Sequence, residues 1–270
     1  MEKIKRNERM AAMMQILTSS PNKIFTLSHF CEMFDTAKST VSEDVALLEK
    51  TVARFSLGRL ETVTGASGGV RYRPAGTEGQ REFISGICSR LSHPDRVLPG
   101  GFLYYSDILS DPELTAGMGS LIAGASYSLL PDFVLTMETK GIPVAFATAN
   151  ALGVPLVIAR HFSRVYEGSA VNINYVSGSG NIETMSLSRR AVKENQRALI
   201  VDDFLKGGGT ARGMVELMRE FNVSVVGMAF VMATAAPEKK RVTGEKALMT
   251  LEIIAGEPTK AIVKPAEWLK

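Results

Sequence analysis

The chain has 270 residues, 45% of them hydrophobic and 22% charged, a globular balance that excludes wholesale disorder. Its 31 basic and 28 acidic side chains leave a net charge of only +3 with no run of four basic residues, so a polybasic tail is excluded and any polyanion must be met by charges that folding collects on one face. Two cysteines, Cys31 and Cys88, cannot make a disulfide framework. The charged N-terminus lacks the apolar core of a signal peptide, and apolar stretches such as 223–236 are too short to span a bilayer, so the expectation is a soluble, cytoplasmic protein without a membrane partner.

Along the first 75 residues, three short helical patterns come first. Met10, Met13, Met14 and Leu17 have the spacing of one buried helical stripe. Leu27, Phe30, Cys31 and Phe34 repeat it behind Thr26 as N-cap, and Val41, Val45 and Leu48 repeat it again. Thr40 and Glu43 form the T-x-x-E pattern of a capping box for that third helix. Two extended runs, 60–64 and 70–73, then flank the turn Gly65-Ala-Ser-Gly-Gly69. Three helices and a hairpin, with only residues 35–38 between the second and third helices, have the order of a winged helix-turn-helix. The third helix would enter the major groove, offering Lys38, Ser39, Thr40 and Ser42. Arg71 and Arg73 alternate with Val70 and Tyr72 and so share one face of the wing, while Lys23, Arg54 and Arg59 add phosphate contacts. The alternative for this segment is a small helical interaction module with solvated charges.

The linker 73–77 separates this unit, residues 1–75, from a second one, residues 76–270. There, apolar runs alternate with helical patterns: a Gly/Ala-rich helix over 114–130, a strand over 132–137, a helix over 142–152, a strand over 155–159, a strand over 198–201, a helix over 210–221 and a strand within 223–234. Continuous Val/Ile/Leu runs between helices indicate a parallel sheet covered on both faces. The fold class is therefore α/β, preceded by a small α+β winged domain. His29, His93 and His161 are too scattered for a metal site.

One segment concentrates chemistry: Ala198-Leu-Ile-Val-Asp-Asp-Phe-Leu-Lys-Gly-Gly-Gly-Thr-Ala-Arg-Gly213. It places two acids, Asp202 and Asp203, at the carboxyl end of a strand, where open α/β sheets bind ligands. Lys206, Gly207, Gly208, Gly209 and Thr210 follow, and a Gly-rich turn opening a helix is built to receive a phosphate. The acids suit hydroxyls or a bridging metal ion instead, so the combined ligand has vicinal hydroxyls beside a phosphate, as in a ribose 5-phosphate. Lys206 precedes the glycines, which excludes a P-loop, and the acidic pair excludes a dinucleotide fingerprint.

This segment resembles the signature of type I phosphoribosyltransferases, which bind 5-phosphoribosyl 1-diphosphate (PRPP). The resemblance implies that Asp202 and Asp203 meet the ribose hydroxyls and that residues 206–210 wrap the 5-phosphate. It also implies that Glu138, Thr139, Lys140 and Gly141 form the diphosphate loop, and that 174–181, including Tyr175, is a mobile loop closing over PRPP. Mg²⁺ would normally accompany the diphosphate. Lys206 stands where hypoxanthine-type enzymes carry a general-base carboxylate. With 138–143, 173–179, 201–206 and the N-terminal unit taken together, nearly the whole chain resembles the purine operon repressor family of Gram-positive bacteria. That resemblance implies a homodimeric transcriptional repressor of purine biosynthesis, bound to a palindromic operator and released by PRPP, with no catalytic residues. The alternatives are an active purine phosphoribosyltransferase with a regulatory N-terminal domain, and a repressor with another nucleotide effector.

Overall fold

The computed structural model describes residues 4–65, 68–74, 79–163, 168–177, 180–256 and 259–269. The chain forms two compact units, one of residues 1–78 with 150–153 and the other of residues 79–149 with 154–270.

In the first unit, α1 (Arg6–Ser19), α2 (Leu27–Phe34) and α3 (Lys38–Arg54) precede β1 (Arg59–Val63) and β2 (Gly69–Arg73). The stripes converge on one core of Met13, Leu17, Phe30, Phe34, Val41, Val45 and Leu48, closed by Val70 and Tyr72 of the wing. Met10 and Met14 lie at its margin. Thr26 caps α2 by accepting the His29 N–H at 3.2 Å. The capping box expected at Thr40 and Glu43 does not form. Asp35 ends α2 in the left-handed region (φ 46°) and Ala37 is extended, so α3 begins already at Lys38 and Thr40 lies inside its first turn. The wing is an antiparallel pair with Glu61 opposite Arg71. Residues 66–67 of its turn and 75–78 of the linker lie outside the described residues.

The second unit opens with α4 (Gln80–Leu91), the small pair β3 (Val97–Leu98) and β4 (Phe102–Leu103), and α5 (Ser106–Ser110). Next come α6 (Pro112–Ser126), β5 (Phe133–Met137), α7 (Ile142–Leu152) and β6 (Leu156–Ala159). The hairpin β7 (Ala170–Val176) and β8 (Ile182–Ser188) leads to β9 (Arg197–Leu205), α8 (Gly209–Glu220), β10 (Ser224–Thr234), β11 (Glu245–Ile254) and β12 (Lys260–Pro265). The sheet runs β12-β11-β10-β9-β5-β6, parallel except for β12 on β11. Its central strands carry the near-continuous apolar residues that burial on both faces requires, with all five residues of β5 buried.

One helix and one strand depart from their expected spans. The run 114–130 is shorter and starts earlier: Asp111 accepts the Glu113 and Leu114 N–H groups at 3.0 and 3.1 Å, Pro112 occupies the first helical position, and a 3₁₀ turn at Tyr127–Leu129 replaces the last turn. The strand expected over 198–201 continues to Leu205, so both acids are strand residues.

The strand order positions the site. From β5 the chain moves outward to β6, and from β9 it moves the other way to β10. The connections leaving neighbouring β5 and β9 therefore diverge, opening a crevice at their carboxyl ends, the switch point where such sheets bind ligands.

Candidate functional site

Residues 138–141, after β5, and 202–210, along β9 and into α8, meet at that crevice. A Cβ at Gly141 would collide with Asp202 Oδ1 and lie 2.6 Å from Thr136 Oγ1, so only glycine lets the first loop lie against the acidic strand end. Asp202 is buried, and its Oδ1 accepts the Asp203 N–H at 3.0 Å. Burial and then the neighbouring Asp203 charge push the Asp202 carboxyl well above its ordinary range. Hydroxyl donors would relieve that unfavourable charge density. Behind Gly141 the fully buried Thr136 hydroxyl has no partner among the described residues.

Gly208 is the N-cap of α8 at φ +80°, a left-handed conformation that glycine supplies without strain. Gly209 approaches the Val176 carbonyl so closely that a Cβ would collide with it. The loop and the start of α8, including Thr210, line a cavity of about 220 Å³ together with Asp202 and Phe230. Lys206 is exposed at its rim. Two basic residues the sequence reading passed over hold the loop's shape. Lys240 Nζ donates to the carbonyls of Lys206 (3.2 Å) and Thr234 (2.8 Å), and the Arg241 N–H donates to Gly207 O at 3.0 Å. A carbonyl turned toward a phosphate repels it, so tying these oxygens back leaves donors facing the cavity. The run Lys239-Lys240-Arg241 was the sequence signal for this.

The expected site residues thus fall into three groups. Asp202, Asp203, Gly141, Lys206 and 207–210 converge around the crevice, and Thr139 and Lys140 are exposed in the loop beside it. Glu138 is held elsewhere: its carboxylate accepts from Arg160 NH1 at 3.1 Å and from the His161 N–H at 2.7 Å. It braces the loop against the segment after β6. Tyr175 corrects the expected mobile loop, because residues 174–176 belong to β7, whose alternating Val171, Ile173 and Tyr175 pack inward. The Tyr175 ring lies against Gly213, and its hydroxyl donates to Glu183 at 2.9 Å. Burial first, and then that carboxylate, push the phenol up to about 12. Residues 178–179 of the same expected loop lie outside the described residues. Tyr105, which no motif marked, donates its hydroxyl to Asp203 Oδ2 at 2.7 Å.

On the winged unit, Lys38, Ser39, Ser42, Arg54 and Arg59 are exposed, and Thr40 is half-buried in the first turn of α3. Arg71 and Arg73 share one face of the wing, as alternation requires, but both are bound to Glu61. Arg71 NH2 lies 2.9 Å from Glu61 Oε2, and Arg73 NH1 lies 3.0 Å from Oε1. Arg59 sits at 3.8 Å from the same carboxylate. One glutamate of β1 therefore partly neutralises three arginines, Arg59 on its own strand and two on β2, which counting basic residues along β2 could not reveal. If this face meets phosphates, Arg71→Ala should flatten the plot of log affinity against log salt by about one unit, and Glu61→Gln should tighten binding and steepen it by a similar amount. Salt-series anisotropy on operator DNA measures both, and an unchanged slope in the two variants would remove this face from the interface.

A winged helix-turn-helix unit joined to a phosphoribosyltransferase-type domain defines a class of DNA-binding transcriptional regulator. Residues 5–74 match the family model for the bacterial purine repressor N-terminal domain, and residues 105–268 match that for the phosphoribosyl transferase domain. The chain is 40% identical over 254 residues to the purine biosynthesis transcriptional repressor PurR of Bacillus subtilis, covering 93% of this chain and 89% of that one. It is 37% identical over 253 residues to the purine biosynthesis transcriptional activator PurR of Lactococcus lactis, covering 93% of each. The chain belongs to this family of purine biosynthesis transcriptional regulators, whose named function is regulatory rather than catalytic. In fold, the second unit is similar to the adenine phosphoribosyltransferase of Thermoanaerobacter pseudethanolicus, with a TM-score of 0.54 and 22% identity over 62% of this chain and 99% of that chain. No helix among the described residues is long and apolar enough to cross a membrane.

Proposed function

We propose that the protein represses purine biosynthesis genes as a cytoplasmic homodimer on a palindromic operator, and that PRPP, bound at the crevice without being turned over, releases it. The observation that supports PRPP most directly is the pairing at one switch point of two adjacent carboxylates with a glycine loop at a helix N-terminus. The carboxylates take ribose hydroxyls and the loop takes the 5-phosphate, while Lys140 lies beside the path of the diphosphate. The carboxylate pair is two groups only, and no cluster of three or more His, Cys, Asp or Glu side chains able to hold a metal occurs among the described residues. A Mg²⁺ ion arriving with PRPP would therefore be carried mainly by the diphosphate and water, as that ion commonly is. Lys206 offers charge for phosphate and no ready base for a purine N–H, in keeping with a sensor.

By linkage, if PRPP lowers operator affinity, the operator lowers PRPP affinity by the same factor, and each tenfold of coupling is about 1.4 kcal/mol. The test is operator binding with and without PRPP, alongside turnover assays with adenine, guanine, hypoxanthine and xanthine. The expected result is PRPP-dependent release, no turnover, and an Asp203→Ala variant that binds operator normally but is not released by PRPP. Normal release of that variant would overturn the site, and turnover with any base would favour an enzyme. Because one named relative is an activator, a promoter fusion reads the sign: expression should rise when the gene is deleted.

A further inference from the structure

The Tyr105 hydroxyl donates to Asp203 Oδ2 at 2.7 Å. Its ring stacks near that of Phe204, with centroids 6.0 Å apart and planes 22° apart. The Lys140 ammonium lies 4.8 Å from the same ring's centroid. Tyr105 is therefore in contact with one member of the carboxylate pair and with the lysine of the opposite loop. These are two of the groups that a ribose carrying a diphosphate needs.

Its position is fixed from behind. Arg96 grips Asp107 with two hydrogen bonds of 2.7 and 2.8 Å, the Tyr104 N–H donates to Arg96 O at 2.8 Å, and the Ile108 N–H donates to Tyr105 O at 3.1 Å. A bidentate arginine–carboxylate pair holds geometry as well as charge, so the phenol is presented to Asp203 by a braced segment.

We propose that Tyr105 is an internal competitor for the effector: its hydroxyl takes on Asp203 the hydrogen-bonding position that a ribose hydroxyl must occupy, and its ring holds Lys140 off the diphosphate. This deepens the PRPP reading above and rests on it. The phenol satisfies a carboxylate that would otherwise face its acidic neighbour with one donor fewer. On binding, a sugar hydroxyl replaces the phenol, and Lys140 exchanges a ring face for a phosphate. Burial and then the Asp203 charge raise the Tyr105 phenol above its ordinary range. It therefore remains a donor at neutral pH, and the competition is steric and chemical rather than a pH switch. The affinity measured for PRPP is then the intrinsic affinity reduced by the fraction of molecules in which the phenol is engaged. This device sets how much PRPP is needed before the operator is released.

The test is Tyr105→Phe in the full chain, a change that deletes one O–H and keeps the ring for Phe204 and Lys140. Calorimetric titration should show PRPP binding tightened by about fivefold. This is less than the roughly 10- to 100-fold that a charged hydrogen bond represents outright, because water takes the vacated carboxylate position. Release from operator DNA should occur at correspondingly lower PRPP. Inorganic pyrophosphate, which has no sugar hydroxyls to place on Asp203, should bind Tyr105→Phe and the unaltered chain alike. A ¹⁹F label on the Tyr105 ring of the unaltered chain should shift on PRPP addition, a measurement that needs no variant to fold. PRPP binding by Tyr105→Phe that is equal or weaker, or a fluorine signal unmoved at saturation, overturns the competitor while leaving PRPP as effector. Absence of PRPP binding by the unaltered chain overturns both readings.

Discussion

Asp44→Ala is expected to lower the stability of the winged unit by about 3 kcal/mol, the low end for breaking a buried ion pair from one side. Asp44 is 1% exposed in the middle of α3. It binds two arginines of α1: Arg6 Nε at 2.8 Å on one oxygen, and Arg9 NH2 at 2.8 Å with Nε at 3.0 Å on the other. Arg6 is half exposed and returns to water when the carboxylate is removed. The Arg9 side chain is only 10% exposed, so alanine at 44 leaves its charge without a counter-ion and with the neutral Ile4 carbonyl, at 3.1 Å, as its other acceptor. A unit of this size holds on the order of 4–12 kcal/mol in total, so the loss is a large share of what keeps α1 on the recognition helix. Hydrogen exchange of α3 amides should accelerate by about two powers of ten, and operator affinity should fall with it at elevated temperature. Arg6→Ala, which removes an exposed partner, should cost at most about 1 kcal/mol. An Asp44→Ala protein as protected as the unaltered chain would show the pair to be incidental.

The pair also shows what sequence reading delivers and where it stops. The stripes at 10–17, 27–34 and 41–48 carry the three helices because apolar side chains at helical spacing have nowhere to go but a shared core. The run 198–213 carries the acidic strand end and its glycine loop because its acids and glycines are neighbours in sequence. Asp44 falls at the i+3 position of the stripe Val41, Val45 and Leu48, so spacing places it on the buried face, but nothing near it in sequence names its partners. Only the approach of α1, 35 residues earlier, makes it an anchor. Glu61 escapes notice likewise, since its three arginines lie on two strands. Tyr105 is the largest omission: 98 residues separate it from Asp203, and no spacing rule links a tyrosine to a carboxylate at that range. The family resemblance places 174–176 in a mobile loop, although Val171, Ile173 and Tyr175 alternate as a strand does. Contacts local in sequence were legible, and those made by topology were not.

The topology also makes the second large effect predictable. If PRPP binds at the crevice as proposed, Gly141→Ala should weaken its binding by about 100-fold while leaving operator affinity unchanged, so that repression persists at PRPP concentrations that release the unaltered protein. The added methyl would meet Asp202 Oδ1 and Thr136 Oγ1. Neither can retreat: Thr136 is on β5 and Asp202 on β9, both buried, and β5 and β9 are the paired central strands of the sheet. The loop must move instead, by roughly an ångström, carrying Lys140 and the backbone donors of 139–141 away from the diphosphate. A displacement of that size costs on the order of 10²-fold where function depends on aligned groups, equivalent to losing one or two charged hydrogen bonds. Titration of PRPP into the protein–operator complex measures the effect. Gly86→Ala, in α4 where a Cβ meets nothing within 4 Å, controls for the substitution itself. Release of Gly141→Ala at unchanged PRPP would mean that the diphosphate does not bind against this loop. The effector site would then have to be sought around the glycine loop of residues 206–210 alone.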